Sequence, residues 1–136
     1  MNANAEIALR AAIHAALAAD ATLLGLLGGP KIYDEAPRGA IAPYVTFGDL
    51  QSRDWSTDSD DGVEHFVILN VWSGQTGARE ALAIAGRVRD LLHDQPLTLS
   101  GFNLVNLRFT QLDTRREGGG RFNRASPRFR AVTEPL

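Results

Sequence analysis

The sequence predicts an α+β fold: a single domain over residues 1–136, with an N-terminal helix and a central helix packed on a mainly antiparallel or mixed sheet of four to five strands. A chain of 136 residues suits one core, which at this size can bury about 70% of the surface of the unfolded chain. Helical spacing of apolar residues occurs near the N-terminus and in the middle of the chain, whereas the other apolar segments alternate. Runs of strands with few helices are typical of α+β proteins.

Residues 4–18 predict the first helix, because large apolar side chains recur there at every fourth position. These are Leu9, Ile13 and Leu17. Asn2 or Asn4 can cap the start of this helix, since a side-chain oxygen there accepts a free backbone N–H. Asp20 can cap a short second helix in the same way, and that helix ends at Leu27, before a Gly-Gly-Pro sequence.

The next segments predict strands. A short strand is expected at 31–33, followed by a loop over 34–42 and a strand at 44–50 that Pro43 opens. The acidic stretch 53–63 is the expected connection to the following strand.

The strand at 64–72 has two apolar faces. One face carries Phe66, Ile68 and Trp72, and the other carries Val67, Leu69 and Val71. A strand that is apolar on both faces is typical of a sheet covered on both sides. We therefore expect this strand at the centre of the sheet, with structure packed on each face.

Thr76 is placed to cap the central helix, whose apolar face follows helical spacing. That face consists of Ala81, Ile84, Ala85, Val88, Leu91 and Leu92. Beyond the helix, residues 97–99 and 102–112 predict a hairpin around a Ser-Gly turn. Within it, Val105, Leu107 and Phe109 are expected to share one face.

The last part of the chain predicts a hairpin tip and a final strand. Three consecutive glycines at 118–120 favour a flexible loop or tip. In the strand that follows, Phe129 and Ala131 alternate with Arg128 and Arg130, so that one face is apolar and the other is basic.

The residues that catalysis, metal binding or cofactor binding would need are missing or wrongly spaced. The chain has no cysteine, which excludes disulfides, thiolate zinc sites and cysteine nucleophiles. The three histidines, His14, His65 and His93, form no pair with metal-ligand spacing. The acidic run 58–64 fails the calcium-loop pattern, because Thr57 stands where the first aspartate ligand belongs. We therefore expect no catalytic residue, no metal and no cofactor.

Two further partner classes are disfavoured. No apolar run approaches the roughly 20 residues that cross a bilayer, so we expect no membrane partner. The triple glycine before Arg121 lacks the spacing of a phosphate-binding loop. With a net charge of −2 and an aromatic content of 7%, the chain does not predict specific nucleic-acid recognition.

Opposite charges are sorted into two regions of the chain. Residues 49–64 carry six carboxylates and one arginine, a balance of −5, and residues 108–130 carry seven arginines and two carboxylates, a balance of +5. Complementary potentials give an interface its orientation and register more than its affinity. A chain of this kind can meet a copy of itself, which predicts an assembly protein.

Three further segments follow one another along the chain. They are PYVTFG at 43–48, HFVILNVWS at 65–73 followed by Gly77 and a helix, and RFRAVTEP at 128–135. An N-terminal helix leading to KIYD at 31–34 precedes them. In this order they resemble the tail-completion or tail-terminator proteins of long-tailed phages, and the related proteins of phage-like gene-transfer particles.

The resemblance implies a small α+β subunit that closes into a homo-hexameric ring at the head-proximal end of a virion or phage-like tail. Such a ring caps the tube of the major tail tube protein, ends its polymerisation and offers a surface to the head-tail connector or stopper protein. The family carries no catalytic residues, and assembly takes place in the bacterial cytoplasm. DNA passes through the lumen only as non-specific cargo. Two alternatives stay open: a head-tail connector or stopper protein, and a small-ligand-binding α+β domain.

Seven charged residues are the expected contacts with a neighbouring subunit or the tube. The acidic members are Asp58, Asp60, Asp61 and Glu64, and the arginines expected to receive them are Arg115, Arg116 and Arg121. The acidic loop 53–63 is also expected at the bore or the tube-facing rim, because an acidic lining lets DNA pass without phosphate contacts. The alternative is that this loop and the loop 113–121 are solvated hairpin ends.

Overall fold

The computed structural model describes residues 4–136, in which three helices and five strands are formed. The helices are α1 (Ala5–Ala18), α2 (Ala21–Leu27) and α3 (Arg79–Leu92). The strands are β1 (Ile32–Tyr33), β2 (Tyr44–Asp54), β3 (Val63–Ser73), β4 (Phe102–Glu117) and β5 (Phe122–Pro135).

The strands form one mixed sheet in the order β1-β2-β3-β5-β4. The short β1 pairs parallel to β2, and all other neighbours are antiparallel. The predicted α+β class, the mixed sheet and the central position of β3 are therefore confirmed.

The predicted side-chain caps of the first two helices are present in the described residues. Asn4 Oδ1 accepts the Ile7 N–H at 2.9 Å, and Asp20 accepts the Leu23 N–H at 2.9 Å; the alternative cap Asn2 lies outside residues 4–136. Asp20 also accepts two hydrogen bonds from Arg87 of α3, at 2.8 and 2.7 Å. The bonds from Arg87 lower the pKa of Asp20 to about 2.

The hydrophobic core lies between the helices and one face of the sheet. Helical side chains such as Ile13 and Ile84 pack there with Leu69 of β3 and Phe129 of β5, all fully buried. No single helix in the described part of the chain is long and apolar enough to cross a membrane. The helices α1 and α2 pass that test only as a pair bent by 81°.

The prediction that β3 is covered on both faces is wrong. Val67, Leu69 and Val71 are buried under the helices, but Phe66, Ile68 and Trp72 on the other face are only half-buried. The helices all pack on one side, so the chain forms two layers and leaves the second face of its sheet open.

Strand boundaries differ from the sequence prediction in three places. The strand β4 continues past Leu112 to Glu117, because its pairing with β5 extends to Glu117↔Phe122, and the predicted loop 113–121 is shortened to residues 118–121. The strand β2 continues past Leu50 to Asp54, because antiparallel pairing with β3 extends as far as Asp54↔Val63. The connecting loop is therefore shortened to residues 55–62. The segment 97–99 forms no strand beyond a single bridge from Leu99 to Phe102, because β4 pairs along its length with β5 instead.

Two local predictions are wrong because of backbone detail. The helix α3 begins at Arg79, with Ala78 at the cap position, so Thr76 does not cap it. Val105 does not share a face with Leu107, because a register shift between Leu104 and Asn106 turns its side chain outward, where it is 50% exposed.

Removing the Phe129 ring tests this core. Phe129 is fully buried and packs edge-on against Phe109, with ring centroids 5.9 Å apart. We expect Phe129→Ala to lower the free energy of unfolding by about 3–5 kcal/mol, because the lost ring leaves a cavity. Val105→Ala, at an exposed position, is expected to change it by less than about 0.5 kcal/mol. Urea titration followed by tryptophan fluorescence measures both, and equal effects would contradict the register of β4 and β5.

Candidate subunit interface

The loop that joins β2 to β3, residues 55–62, is an ordered turn that we call the acidic tip. The Thr57 N–H donates to the Asp60 carbonyl at 2.7 Å, and the Trp55 N–H donates to the Gly62 carbonyl at 2.9 Å. The carboxylates of the acidic tip are exposed. They belong to Asp58, Asp60 and Asp61.

The loop that joins β4 to β5, together with the last residues of β4, forms the basic tip, residues 115–121. The three glycines at its turn have φ values of 63°, 69° and 90°, a region that glycine enters without the steric cost of a side chain. Arg115, Arg116 and Arg121 are exposed around this turn.

The two tips lie at opposite ends of the sheet. The acidic tip adjoins Val63 at the start of β3, which pairs with Thr133 near the end of β5. The basic tip adjoins Phe122 at the start of β5, next to Asn123, which pairs with Ser73 at the end of β3. The intervening strand β3 has 11 residues. At about 3.3 Å a residue it separates the tips by roughly 35 Å.

The charges of the two tips make few contacts in the described part of the chain, and Arg121 donates to the Gly118 carbonyl and lies against the Phe122 ring. Among residues 4–136 none of the three aspartates or three arginines forms a salt bridge. The distance between the tips is several times the Debye length of about 8 Å at physiological salt, so their mutual attraction is screened. These six charges are therefore available to another molecule.

Glu64, the seventh residue of the predicted contact, is already paired inside the subunit. It is 2% exposed and forms salt bridges with Arg53 and Arg130. Burial raises the pKa of Glu64, but the hydrogen bonds from the two arginines outweigh burial and hold it below the usual 4.5. The expectation that Glu64 reaches a neighbouring subunit is corrected, because both arginines cover its carboxylate.

The same two arginines contact the side chain of Trp55, the first residue of the acidic tip. The Trp55 ring lies 5.8 Å from the Arg53 guanidinium and 5.1 Å from that of Arg130. This cluster was missed in the sequence, because Glu64 and Arg130 meet only through the register of β3 and β5. It fixes the direction in which the acidic tip leaves the sheet.

The side of the sheet opposite the helices, which we call the open sheet face, is aromatic and basic. Its centre consists of alternate, half-buried residues of β3 and β5: Phe66, Ile68, Asn70, Trp72, Arg124, Ser126, Arg128 and Arg130. Arginines lie over aromatic rings there, Arg128 at 4.9 Å from the Phe66 centroid and Arg124 at 5.5 Å from that of Trp72. Cation–π contacts of this kind hold the guanidinium groups against the rings.

An aromatic row crosses the end of this face nearest the basic tip. Each of its four rings lies beside the next one, and the centroids of successive rings are 5.9, 6.3 and 6.0 Å apart. They belong to Tyr33, Tyr44, Trp72 and Phe122.

A cleft of about 280 Å³ opens on the same half of the face. Four charged residues are among those that line it: Arg115 and Arg124, and Asp49 and Asp113. Gly48 forms part of its wall, where an added Cβ would come within 2.8 Å of the Asn70 side chain.

Polar groups on the helix-covered side are used for packing. His65 is fully buried, with its ring nitrogens 2.8 Å from Ser52 Oγ and 2.9 Å from Thr133 Oγ1, and burial lowers its pKa. The Asn123 side chain donates to backbone carbonyls at 75–77, before α3. Within residues 4–136 no group of three or more His, Cys, Asp or Glu side chains could hold a metal ion.

The pairing of Glu64 predicts a pH-dependent stability difference. A carboxylate whose pKa is lowered by folding stabilises the protein above its unfolded pKa, and this stabilisation is lost as the pH falls. We expect Glu64→Gln to have a lower urea midpoint than the wild type at pH 7. The difference between the urea midpoints of the wild type and Glu64→Gln should narrow as the pH falls below 4.5.

Asp58→Asn is the matched control for this measurement, because Asp58 is exposed and forms no salt bridge in the described residues. Its urea midpoint should follow that of the wild type from pH 7 downward. If the difference in urea midpoint between Glu64→Gln and the wild type stayed constant between pH 7 and pH 3, the ion pairs would add no stability.

Comparison with known proteins adds three findings. A family model described as tail completion protein gp17 matches residues 11–134. The tail completion protein gp17 of Bacillus phage SPP1 is 40% identical over 63 residues, which are 46% of this chain and 46% of that protein. A chain in the solved virion of a native gene transfer agent particle is 34% identical, with a TM-score of 0.89 over 98% of this chain and 99% of that one.

Proposed function

The chain belongs to the tail completion protein gp17 family, and on that premise we propose that it forms a homo-hexameric ring that caps the tail tube. The ring ends polymerisation of the major tail tube protein and presents its other side to the head-tail connector or stopper protein. One observation carries this proposal: the likeness to a chain of a gene transfer agent virion extends over 98% of this protein. The protein is thus a structural component of a phage or phage-like particle.

The proposed role is structural and requires no reaction. A cap works by covering the end of the tube and by holding its own subunits together. We therefore propose no enzymatic activity, no metal and no cofactor, and we treat residues 1–136 as one tail-terminator domain.

Charge pairing between neighbouring subunits is proposed to set the register of the ring. The acidic tip of one subunit approaches Arg115, Arg116 and Arg121 of the next. A pair of exposed charges contributes about 0–1 kcal/mol, so several pairs must act together with an apolar contact. Because each subunit carries the acidic tip at one end of its sheet and the basic tip at the other, the same contact repeats from copy to copy.

The bore is proposed to pass double-stranded DNA as cargo without gripping it. Every phosphate that an arginine neutralises adds salt-dependent affinity, which would slow the passage of DNA. The net charge of −2 suits a bore lined by acidic or neutral groups. We place the acidic tip at the bore or tube-facing rim, where it can approach the arginines of the next subunit and also repel DNA.

The ring itself predicts a native mass of six chains. Mass photometry or analytical ultracentrifugation of the purified protein, alone and mixed with tail tubes, measures it. A monomer that stays monomeric with tubes present and binds a small molecule would favour a ligand-binding domain instead. A ring that binds the connector but leaves tubes growing would favour a head-tail connector or stopper.

Charge reversal tests the proposed contact. We expect Asp60→Lys with Asp61→Lys to weaken ring formation at low salt, because like charges then face each other across the contact. Adding Arg115→Glu and Arg116→Glu should restore part of the assembly. The fraction of ring is measured by native mass at several salt concentrations, with tubes present and absent. Assembly that is indifferent to all four changes would mean that the sorted charges serve another purpose.

A further inference from the structure

We propose that the open sheet face is the apolar part of the subunit contact, and that its occupant is a second copy of this chain whose acidic tip enters the cleft. This inference rests on the proposed ring, and it names the surface on which the ring is built. The cleft is the space of about 280 Å³ beside Arg115 and Arg124.

The composition of the face is that of a protein-protein contact. Interface cores are enriched in aromatic residues and arginine and depleted in lysine, and tryptophan, tyrosine and arginine dominate their binding energy. The open sheet face places Trp72 and Tyr44 beside arginines, and the only lysine of the chain, Lys31, lies before β1. Half-buried rings gain further burial from a partner, which stabilises the contact.

The size of the face suits a stable contact. Four strands spaced about 4.8 Å apart, each about eleven residues long, present roughly 700 Å². A standard interface buries about 800 Å² on each partner. The open sheet face with the acidic tip of a neighbour in its cleft therefore comes close to the area that a stable assembly needs.

The charges of the cleft select one orientation for an acidic segment. Arg115 has no salt bridge in residues 4–136, and Arg124 is paired with Glu117 at 3.0 Å. Asp113, two residues before Arg115 on β4, and Asp49 on β2 also line the cleft and repel carboxylates. Attraction to Arg115 and repulsion from the two aspartates favour one register of the incoming turn.

The acidic tip fits this role because it is already ordered. Its backbone hydrogen bonds and the Trp55 contacts hold the turn, so little conformational entropy is lost when it docks. The tip and the cleft are different surfaces on different halves of the sheet. A contact between them is head-to-tail, and repeated contacts of this type close into a ring when the rotation permits.

Cysteine cross-linking tests the contact directly, because the chain has no cysteine of its own. The variant carries Ser59→Cys at the acidic tip and Ser126→Cys in the cleft, two nearly isosteric changes. The control carries Ser59→Cys with Ala83→Cys, on the exposed face of α3. Mild oxidation of the assembled protein should link the first pair into covalent oligomers. An effective concentration in the mM range makes this roughly a thousandfold faster than in the control at µM protein.

The outcomes separate this inference from the proposed ring. Covalent oligomers larger than dimers in the first variant alone support the contact. Rings of six chains that do not cross-link overturn the contact and leave the ring in place. Covalent oligomers of open, variable length support the contact and contradict the closed ring.

Arg128→Gln tests DNA as a different occupant of the face. Arg128 lies over Phe66 and forms no salt bridge in the described chain. We expect this change to lower the salt concentration at which the ring dissociates and to leave retention of a double-stranded DNA fragment unchanged. Loss of DNA retention with an unchanged salt midpoint would assign the face to nucleic acid and overturn the proposal.

Discussion

The whole architecture depends on one constraint: three helices cover one face of the sheet and leave the other open. The central strand β3 is apolar on both faces, yet only the side with Val67, Leu69 and Val71 is buried in the subunit. A sheet with an apolar face lowers its free energy by burying that face. In the proposed ring, a neighbouring copy would cover the face that the helices leave open.

The open sheet face is kept ordered by contacts that assembly can use. Guanidinium groups lie over Phe66 and Trp72, which shields the ring faces, and the one over Trp72, from Arg124, also pairs with Glu117. Glu64 forms salt bridges with both Arg53 and Arg130 next to the acidic tip. The result is a surface whose aromatic and charged groups are already held in place in the single chain, which would lower the entropic cost of the proposed contact.

The strongly periodic parts of this fold could be predicted from the sequence, and the unpredicted parts depend on register. The helices α1 and α3 and the strand β3 follow clear apolar spacing. Asn4 caps α1 and Asp20 caps α2, as expected. The open face could not be predicted, because an apolar strand face looks the same whether a helix or another molecule covers it. Pairing of Glu64 with Arg130, and the bulge that turns Val105 outward, follow from strand register, which the spacing of apolar residues does not determine.

A cryo-EM reconstruction of the head-proximal end of assembled tails tests the central claim most directly. We expect a six-fold ring in which the open sheet face of each subunit packs against the next copy, with Asp58, Asp60 and Asp61 beside the neighbour's cleft. A map in which this face borders solvent, the bore or the tube protein, with the acidic tip remote from any neighbouring copy, would contradict it.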